Sequence, residues 1–225
     1  MKSLSILIPV FNEEESLLAL FGELKNNFEN NSAIEVIFIN DGSSDQSQYL
    51  IEREITHHSS WKLINLYRNY GKSVALQAGI DISTGELIAT LDADLQDDPK
   101  EIINLVNELK NFDVIVGWKK SRLDPIEKRL ASKVFNFFIR IFSGLKIKDS
   151  NSGINVLKRE VAKSLNLYGG RHRYIPLLAH QKSFKVKEIP VNHRERKFGK
   201  SKYGAERYKH GFFDFLTILF LGKYM

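Results

Sequence analysis

Over the first 118 residues, short apolar runs alternate with segments whose apolar residues recur at helical spacing. The runs typical of strands are 4–10, 34–39, 61–66, 87–91 and 114–116. Helical patterns cover 13–28, 46–57 and 72–82, and Pro99 opens a further helix. Strands that alternate with helices predict an α/β fold with a mostly parallel sheet and helices on both faces.

Polar clusters follow three of these predicted strands directly. Asn12 and Glu13 come after the first strand, residues 41–45 after the second, and residues 92–94 after the fourth. The carboxyl ends of parallel strands meet at one edge of the sheet, where α/β proteins bind their ligands. We therefore expect the three clusters to converge on one crevice.

Asp92 and Asp94 are two carboxylates at positions i and i+2 after a strand. Both can reach one hard cation such as Mg²⁺ or Mn²⁺, which prefers oxygen ligands and is often completed by substrate phosphates. A solvated acidic turn that also includes Asp97 and Asp98 explains the same residues. The pattern alone favours the plain turn.

Two more loops carry candidate ligand groups. Asp41 ends a strand where it can accept hydrogen bonds from a base or ribose, although a plain turn with a helix cap explains the residues after it. Arg68 and Lys72 flank Gly71 at a predicted helix N-terminus, where they can meet phosphate oxygens. A tight turn with exposed basic side chains is an equally good reading of that loop.

The formal net charge of +6 hides an uneven distribution along the chain. Residues 1–118 carry 8 Lys/Arg against 19 Asp/Glu, whereas residues 119–225 carry 25 against 8. The acidic half suits a cation, and the basic half suits phosphates or an anionic lipid. The absence of cysteine excludes disulfides and thiolate metal sites.

Four motifs together resemble those of the family 2 inverting glycosyltransferases, which have the Rossmann-like GT-A fold. They are Pro9-Val10-Phe11-Asn12-Glu13, Asp41-Gly42-Ser43-Ser44-Asp45, Arg68-Asn69-Tyr70-Gly71-Lys72 and Leu91-Asp92-Ala93-Asp94-Leu95-Gln96-Asp97. Within that family the chain is most similar to the polyprenyl-phosphate glycosyltransferases. This group includes dolichol-phosphate mannose synthase and the bacterial enzymes that load glucose or aminoarabinose onto undecaprenyl phosphate.

The resemblance implies a metal-dependent hexosyltransferase that takes its sugar from a nucleotide-diphosphate donor, with UDP-sugar favoured. It implies that Asp92, Asp94 and Gln96 bind Mg²⁺ or Mn²⁺, and that Asp92, Asp94 and Asp149 are catalytic. The donor-binding residues that it implies are Pro9, Asn12, Glu13, Asp41, Arg68, Lys72, Asp92 and Ala93.

The acceptor implied by the resemblance is a polyprenyl phosphate, bound by the basic second half. The implied contacts to the acceptor phosphate are Arg129, Ser132, Arg194, Arg196, Lys200 and Lys202. Relatives often read Ser-Gly-Phe-Arg where this chain has Ser152-Gly153-Ile154-Asn155, so one arginine contact is missing here.

The expected organisation is a GT-A domain over 1–203, followed by an amphipathic, membrane-proximal helix over 204–225. Residues 1–118 would bind nucleotide and metal, and residues 119–203 the acceptor. The apolar run near the end is shorter than the ~20 residues that span a bilayer. We expect an enzyme at the cytoplasmic face of a membrane, peripheral or anchored by further chain. No nucleic-acid partner is expected, and a homo-oligomer is possible.

Other readings stay open. A saccharide hydroxyl as acceptor would make Asp149, or another carboxylate, an essential base. A nucleotide-binding module without activity is a second alternative, against which the intact Asp92-Ala93-Asp94 argues. A nucleotidyltransferase needs a basic, glycine-rich loop after the first strand, whereas this chain has Phe11-Asn12-Glu13-Glu14-Glu15. The histidines do not occur at metal-ligand spacing, and His193 reads as structural.

Overall fold

The computed structural model describes residues 2–29, 31–119, 144–145, 147–148, 152–195 and 217–218. The strands are β1 (Leu4–Val10), β2 (Ile34–Asn40), β3 (Trp61–Asn65), β4 (Leu87–Thr90), β5 (Val114–Lys119), β6 (Asn155–Lys158) and β7 (Val186–Val191). The helices are α1 (Glu14–Phe28), α2 (Ser47–Ile55), α3 (Lys72–Ile82), α4 (Glu101–Glu108), α5 (Arg159–Ser164) and α6 (Ile175–Gln181), with a 3₁₀ helix at Arg171–Tyr174.

All seven strands form one sheet in the order β3-β2-β1-β4-β6-β5-β7. Only β6 runs against the others, pairing antiparallel with both β4 and β5. β1 lies between β2 and β4 in parallel register, with Val10 opposite Asn40 and Leu7 opposite Thr90. The carboxyl ends of β1, β2 and β4 therefore meet at one edge, and the predicted mostly parallel α/β sheet is confirmed.

Helices cover both faces of the sheet because successive strand residues point to opposite sides. Leu4, Ile6 and Ile8 of β1 pack with buried residues of α1, α2 and α4 in one apolar cluster. Leu7 belongs to the cluster on the other face, with buried residues of α3, α5 and α6. Each face of β1 is therefore buried, which explains why its sequence is an unbroken apolar run.

The predicted element bounds agree closely with the structure where it describes them. The strand over 4–10 and the helix over 72–82 have the predicted ends, and the other predicted elements of the first 118 residues differ by a few residues. The prediction missed β6, α5 and α6, which come from the less regular second half. The division of the chain at 118 and 203 stays a prediction.

The C-terminal helix predicted over 204–225 lies outside the described residues, apart from Thr217 and Ile218. These two are helical, and Ile218 is buried in the apolar cluster that contains α3. Its carbonyl oxygen accepts a hydrogen bond from Gln181 Nε2 at 3.3 Å. Within the described ranges, no helix combines the length and the apolar character needed to cross a bilayer.

Candidate active site

The loops after β1 and β2 are joined by hydrogen bonds between them. The Asn12 N–H donates to Ser43 Oγ at 2.9 Å, and Asn12 Oδ1 accepts from the Ser44 N–H at 2.7 Å. The Glu13 N–H donates to Ser47 Oγ at 2.8 Å. Asn12 adopts a left-handed conformation with φ of 51°, which asparagine tolerates better than most residues. The predicted donor residues Asn12 and Glu13 therefore lie in a tightly fixed double loop.

Asp41 fixes the next loop at the same edge. Its carboxylate is buried and accepts hydrogen bonds from the Tyr70 N–H at 2.8 Å and the Gly71 N–H at 2.9 Å. Burial raises the pKa of Asp41, and the two N–H groups offset this only in part. Gly42 is required beside it, since a Cβ there would lie 2.4 Å from the backbone of Arg68. Asp41 thus positions the loop that leads to Lys72.

Arg68 itself is exposed at this loop, and its guanidinium lies 5.0 Å from the ring centroid of Tyr70. Pro9 lies one residue before the end of β1, opposite Ile39 of β2. Both residues are therefore at the predicted edge. Their contacts to a donor stay predictions.

Asp92 and Lys72 form an ion pair at the centre of this edge. Lys72 is the first residue of α3, and the preceding Gly71 has a φ of 91°. Burial alone would raise the pKa of Asp92, but Lys72, Lys119 and His172 together hold it below its usual value. With its side chain 31% exposed, Asp92 is a carboxylate at the surface of the crevice that is ionised at neutral pH.

The turn after Asp92 carries the other predicted metal ligands. Asp94 is nearly buried, and its Oδ1 accepts a hydrogen bond from the Gln96 N–H at 3.2 Å. Ala93 is buried, and Leu95 has a left-handed φ of 61° that turns the chain sharply. The turn thus presents Asp94 and Gln96 from a strained backbone.

This donor set fits a hard divalent cation. Asp92, Asp94 and Gln96 offer only oxygen as metal-binding atoms, as Mg²⁺ and Mn²⁺ prefer. Among the described residues, no three or more His, Cys, Asp or Glu side chains are grouped to hold a metal by themselves. Such a set suits a cation that takes its remaining ligands from substrate phosphates.

Asp97 is a buried carboxylate that the sequence alone explained as part of an acidic turn. Lys119 Nζ lies 3.2 Å and His193 Nδ1 3.6 Å from Asp97 Oδ1, yet neither Asp97 oxygen accepts a hydrogen bond from the described residues. A Cβ on Gly153 would lie 2.6 Å from Asp97 Oδ2 and 2.7 Å from Asp92 Oδ2. Only glycine fits between the two carboxylates.

The site also contains a histidine that the sequence analysis missed. His172, in the 3₁₀ helix, donates its backbone N–H to Ser73 Oγ at 2.9 Å, and its Nδ1 lies 2.9 Å from the same oxygen. Ser73 is fully buried in the first turn of α3, directly after Lys72. Ser73 and His172 are 99 positions apart, which explains why no local pattern reveals the pair.

The structure also accounts for the departure at Asn155. This residue is buried at the start of β6, where its Nδ2 donates to Thr90 Oγ1 at 3.2 Å and to the Ser152 carbonyl at 3.0 Å. Asn155 therefore joins β4 to the segment that carries Gly153.

Of the predicted acceptor residues, the structure describes Arg194 alone. Its guanidinium pairs with Glu23 and Asp98, each at 2.6 Å. The predicted site residues that lie outside the described ranges are Asp149, Arg129, Ser132, Arg196, Lys200 and Lys202. No contact of these six is described.

Residues 5–165 match the family described as Glycosyl transferase family 2, and the chain belongs to that family. It is a glycosyltransferase, as the motifs at the edge of the sheet predicted.

Curated relatives extend the match to almost the whole chain. Dodecaprenyl-phosphate galacturonate synthase of Rhizobium johnstonii is 33% identical over 228 residues, covering 98% of this chain and 68% of that protein. Undecaprenyl-phosphate 4-deoxy-4-formamido-L-arabinose transferase of Salmonella typhimurium is 37% identical over 223 residues, covering 97% and 68%. The predicted resemblance to polyprenyl-phosphate glycosyltransferases is thus confirmed, and the alternative readings are not favoured.

Solved structures confirm the GT-A fold. Glucosyl-3-phosphoglycerate synthase from Mycobacterium tuberculosis, in complex with Mn²⁺, UDP-glucose and phosphoglyceric acid, has a TM-score of 0.76 at 16% identity and covers 97% of this chain and 80% of its own. Mannosyltransferase PcManGT from Pyrobaculum calidifontis, in complex with GDP-mannose and Mn²⁺, has a TM-score of 0.68 at 16% identity and covers 92% and 60%.

Proposed function

We propose that the chain transfers a sugar from a nucleotide-diphosphate donor, with a UDP-sugar favoured, to a polyprenyl phosphate at a membrane surface. The observation that carries the proposal is the pairing of Asp92 with Lys72 at the end of β4 and the start of α3. Both relatives described above are named for transfer to a polyprenyl phosphate, which supports the acceptor class.

The crevice gives its residues distinct roles toward the donor. Asn12, Glu13 and Asp41 would receive the base and ribose, since they lie at the ends of β1 and β2. Lys72 and the first turn of α3 would face the diphosphate, because a helix N-terminus and an ammonium group both favour anions. Asp41 contributes by holding the Tyr70–Gly71 backbone, and therefore the start of α3, in place.

Asp92 and Asp94, with Gln96, would hold Mg²⁺ or Mn²⁺. When bound there, the cation neutralises the charge that develops on the leaving diphosphate. Asp92 is suited to this role because its carboxylate is ionised at neutral pH and is partly exposed to the crevice.

The proposed reaction is a single displacement with inversion. An oxygen of the acceptor phosphate attacks the anomeric carbon, the bond from that carbon to the diphosphate oxygen breaks, and the nucleoside diphosphate leaves. A phosphate oxygen is already ionised at neutral pH, so a strong general base is not required. Positioning and charge neutralisation then supply most of the catalysis.

The test is transfer to a short-chain polyprenyl phosphate from a panel of UDP- and GDP-sugars, with Mg²⁺ or Mn²⁺ and with EDTA. We expect one donor to give product that the chelator abolishes. Transfer only to saccharide hydroxyls would overturn the acceptor class, and nucleotide binding without any transfer would favour a module without activity.

Asp94→Asn tests the metal assignment within the same assay. Loss of one carboxylate from the cation should lower turnover about a thousandfold, comparable to removing a strong electrostatic contact to the transition state. The matched control is Asp81→Asn, the same substitution at an exposed position of α3 where Asp81 accepts from Gln77. Turnover of Asp94→Asn within a few-fold of the control would exclude Asp94 as a ligand.

Location at the cytoplasmic face of a membrane also belongs to the proposal. It is supported by the acceptor in the relatives' names and by the basic second half of the chain. Co-sedimentation with anionic vesicles, which should weaken at high salt, tests it. Self-association stays a prediction.

A further inference from the structure

The segment directly after β7 is attached to the turn that carries the predicted metal ligands. We propose that Arg194 is a positioning residue that holds the Asp94–Gln96 turn in its metal-binding geometry, rather than a ligand of the acceptor phosphate. The inference rests on the proposed function, because it assumes that this turn binds the cation.

Three successive residues after β7 contact the chain between Gln96 and Glu101. The Asn192 backbone N–H and Nδ2 both donate to Glu101 Oε1, at 3.2 and 2.8 Å. His193 forms an isolated antiparallel bridge with Asp97, and the Arg194 N–H donates to the Gln96 carbonyl at 2.8 Å. The backbone of Gln96 is therefore fixed by a residue almost 100 positions further along the chain.

The guanidinium of Arg194 then joins this segment to a third element. Its Nη1 lies 2.6 Å from Glu23 Oε1 of α1, and its Nη2 lies 2.6 Å from Asp98 Oδ2. Burial would lower the pKa of Arg194, but the two carboxylates raise it above its usual value, so the group remains a cation. Charge-assisted bonds of this length are among the stronger ones in proteins, and the planar guanidinium fixes their directions.

These contacts act on a turn that is not held by regular structure. Leu95 has a left-handed φ, and neither Asp94 nor Gln96 belongs to a helix or strand. Arg194 holds the C-terminal end of this turn at two points, through the Gln96 carbonyl and through Asp98. Residues that bond to the segment carrying the metal ligands, without touching the metal, orient those ligands, and their removal lowers metal affinity.

The same geometry argues against a direct contact to the acceptor phosphate. Both terminal nitrogens of Arg194 already pair with carboxylates, so a phosphate would have to displace them or compete with their negative charge. A positioning role requires no change in the ion pairs of Arg194 with Glu23 and Asp98.

The experiment measures Mn²⁺ binding by electron paramagnetic resonance, with and without UDP, for four variants. They are Arg194→Gln, Arg194→Lys, the double variant Glu23→Gln/Asp98→Asn, and the control Lys187→Gln. The control removes an ion pair of β7 with Glu108 that is exposed and distant from the turn.

Under the proposal, Arg194→Gln weakens Mn²⁺ binding about tenfold. This is in the range found when a residue that orients metal ligands is removed. The double variant should match it, since it removes the two partners and leaves Arg194 itself intact. Arg194→Lys should lose less affinity because it keeps the charge, and Lys187→Gln should bind as the wild type does. Circular dichroism should show all four variants folded.

The opposite outcome identifies a phosphate ligand. Arg194→Gln would then bind Mn²⁺ normally but show a raised KM for the polyprenyl phosphate, and the double variant would keep a normal KM. A different failure concerns the proposed function: a wild-type protein that binds no Mn²⁺ even with UDP would remove the metal assignment itself. If Arg194→Gln does not fold, the double variant and the lysine variant still decide between the two roles.

Discussion

Buried carboxylates lie at both ends of the parallel strands, and they differ in how many hydrogen bonds they accept from the protein. At the amino end, Glu35 accepts hydrogen bonds from Ser5 Oγ at 2.5 Å, from Lys62 Nζ at 2.6 Å, and from the N–H and Oγ1 of Thr84 at 2.6 and 2.8 Å. Burial would raise the pKa of Glu35, but these donors, with Lys62 first among them, lower it to about 2. This carboxylate is saturated with partners from the protein.

At the carboxyl end, Asp41 accepts two backbone N–H bonds, but among the described residues Asp92 and Asp97 accept fewer hydrogen bonds than Glu35 does. Asp97 is as deeply buried as any charged residue described, yet its oxygens accept no hydrogen bond within the described part of the chain. Asp92 relies on Lys72 and remains partly exposed. Buried polar groups are normally satisfied, and an exception calls for an explanation. The difference indicates that Glu35 serves stability, whereas the partly exposed Asp92 can still reach a ligand in the crevice. The buried Asp97 is paired with Lys119 at 3.2 Å.

Among the variants that compare the two ends of the strands, Gly153→Ala should have the largest effect, because it adds an atom between two carboxylates of the carboxyl end. The new Cβ would meet Asp92 Oδ2 and Asp97 Oδ2 at 2.7 and 2.6 Å, and both carboxylates would have to move. Displacement of catalytic groups by about 1 Å costs on the order of 100-fold in rate, and we expect that loss in kcat/KM.

The control is Gly22→Ala in α1, where an added Cβ meets no atom within 4 Å. Alanine is the better helix former, so this variant should be slightly more stable and fully active. Equal activity of the two variants would mean that the spacing of Asp92 and Asp97 is unimportant.

Two serines at opposite ends of α3 compare the two ends of the sheet: Ser73 lies in the first turn of the helix, and Ser83 directly follows its last residue. Ser73→Ala removes the hydroxyl that bonds His172 at the carboxyl end of the sheet, and Ser83→Ala removes the hydroxyl that donates to the Ile80 carbonyl at the other end. Each should lower the free energy of unfolding by about 1 kcal/mol, the usual value of one hydrogen bond.

Only Ser73→Ala should also lower kcat/KM. The loss should be about fivefold, which corresponds to about 1 kcal/mol of transition-state stabilisation. Steady-state kinetics and urea unfolding of both variants make the comparison. A loss of activity in Ser83→Ala as large as in Ser73→Ala would show that stability, not position, controls the rate.

Glu35→Gln should have the smallest effect on activity and a clear effect on stability. Because folding lowers the pKa of Glu35 from 4.5 to about 2, its contribution is complete above pH 4.5 and is lost as the pH falls toward 2. Lys62 is 41% exposed, so we discount the shift for solvent screening and expect a loss of about 1–2 kcal/mol at pH 7.

Urea unfolding of Glu35→Gln and wild type between pH 8 and pH 3 tests whether the contribution of Glu35 to stability is lost as the pH falls. The difference between their free energies of unfolding should be constant down to about pH 5 and become smaller below that pH. The exposed Glu86→Gln is the matched control, and its free energy of unfolding should stay close to that of wild type throughout. If the difference in the free energy of unfolding grew as the pH fell, a lowered pKa of Glu35 would be contradicted.

The sequence predicted the part of the molecule that local patterns determine. The strand over 4–10 and the helix over 72–82 were predicted to the residue, because a fully buried parallel strand is apolar throughout and α3 begins directly after a glycine with positive φ. The convergence of Asp41, Asp92 and Asp94 followed from the same logic, since each ends a strand of one parallel sheet.

The missed features depend on contacts between distant parts of the chain. β6 has only four residues, and its antiparallel direction is set by β4 and β5 on either side. Arg194 and Glu23 are 171 positions apart, so nothing near either residue indicates the pair. The resemblance to relatives assigned Arg194 by its position in a motif, whereas the structure adds what its guanidinium touches.

The reversed direction of β6 has a consequence for how such enzymes diversify. β5 ends at Lys119 at the edge of the sheet that holds the site, and β6 begins at Asn155 on that same edge. Because β5 ends and β6 begins on one edge, a change in the number of residues between them need not shift the register of either strand. The sheet around Asp92 can therefore stay unaltered while that number varies.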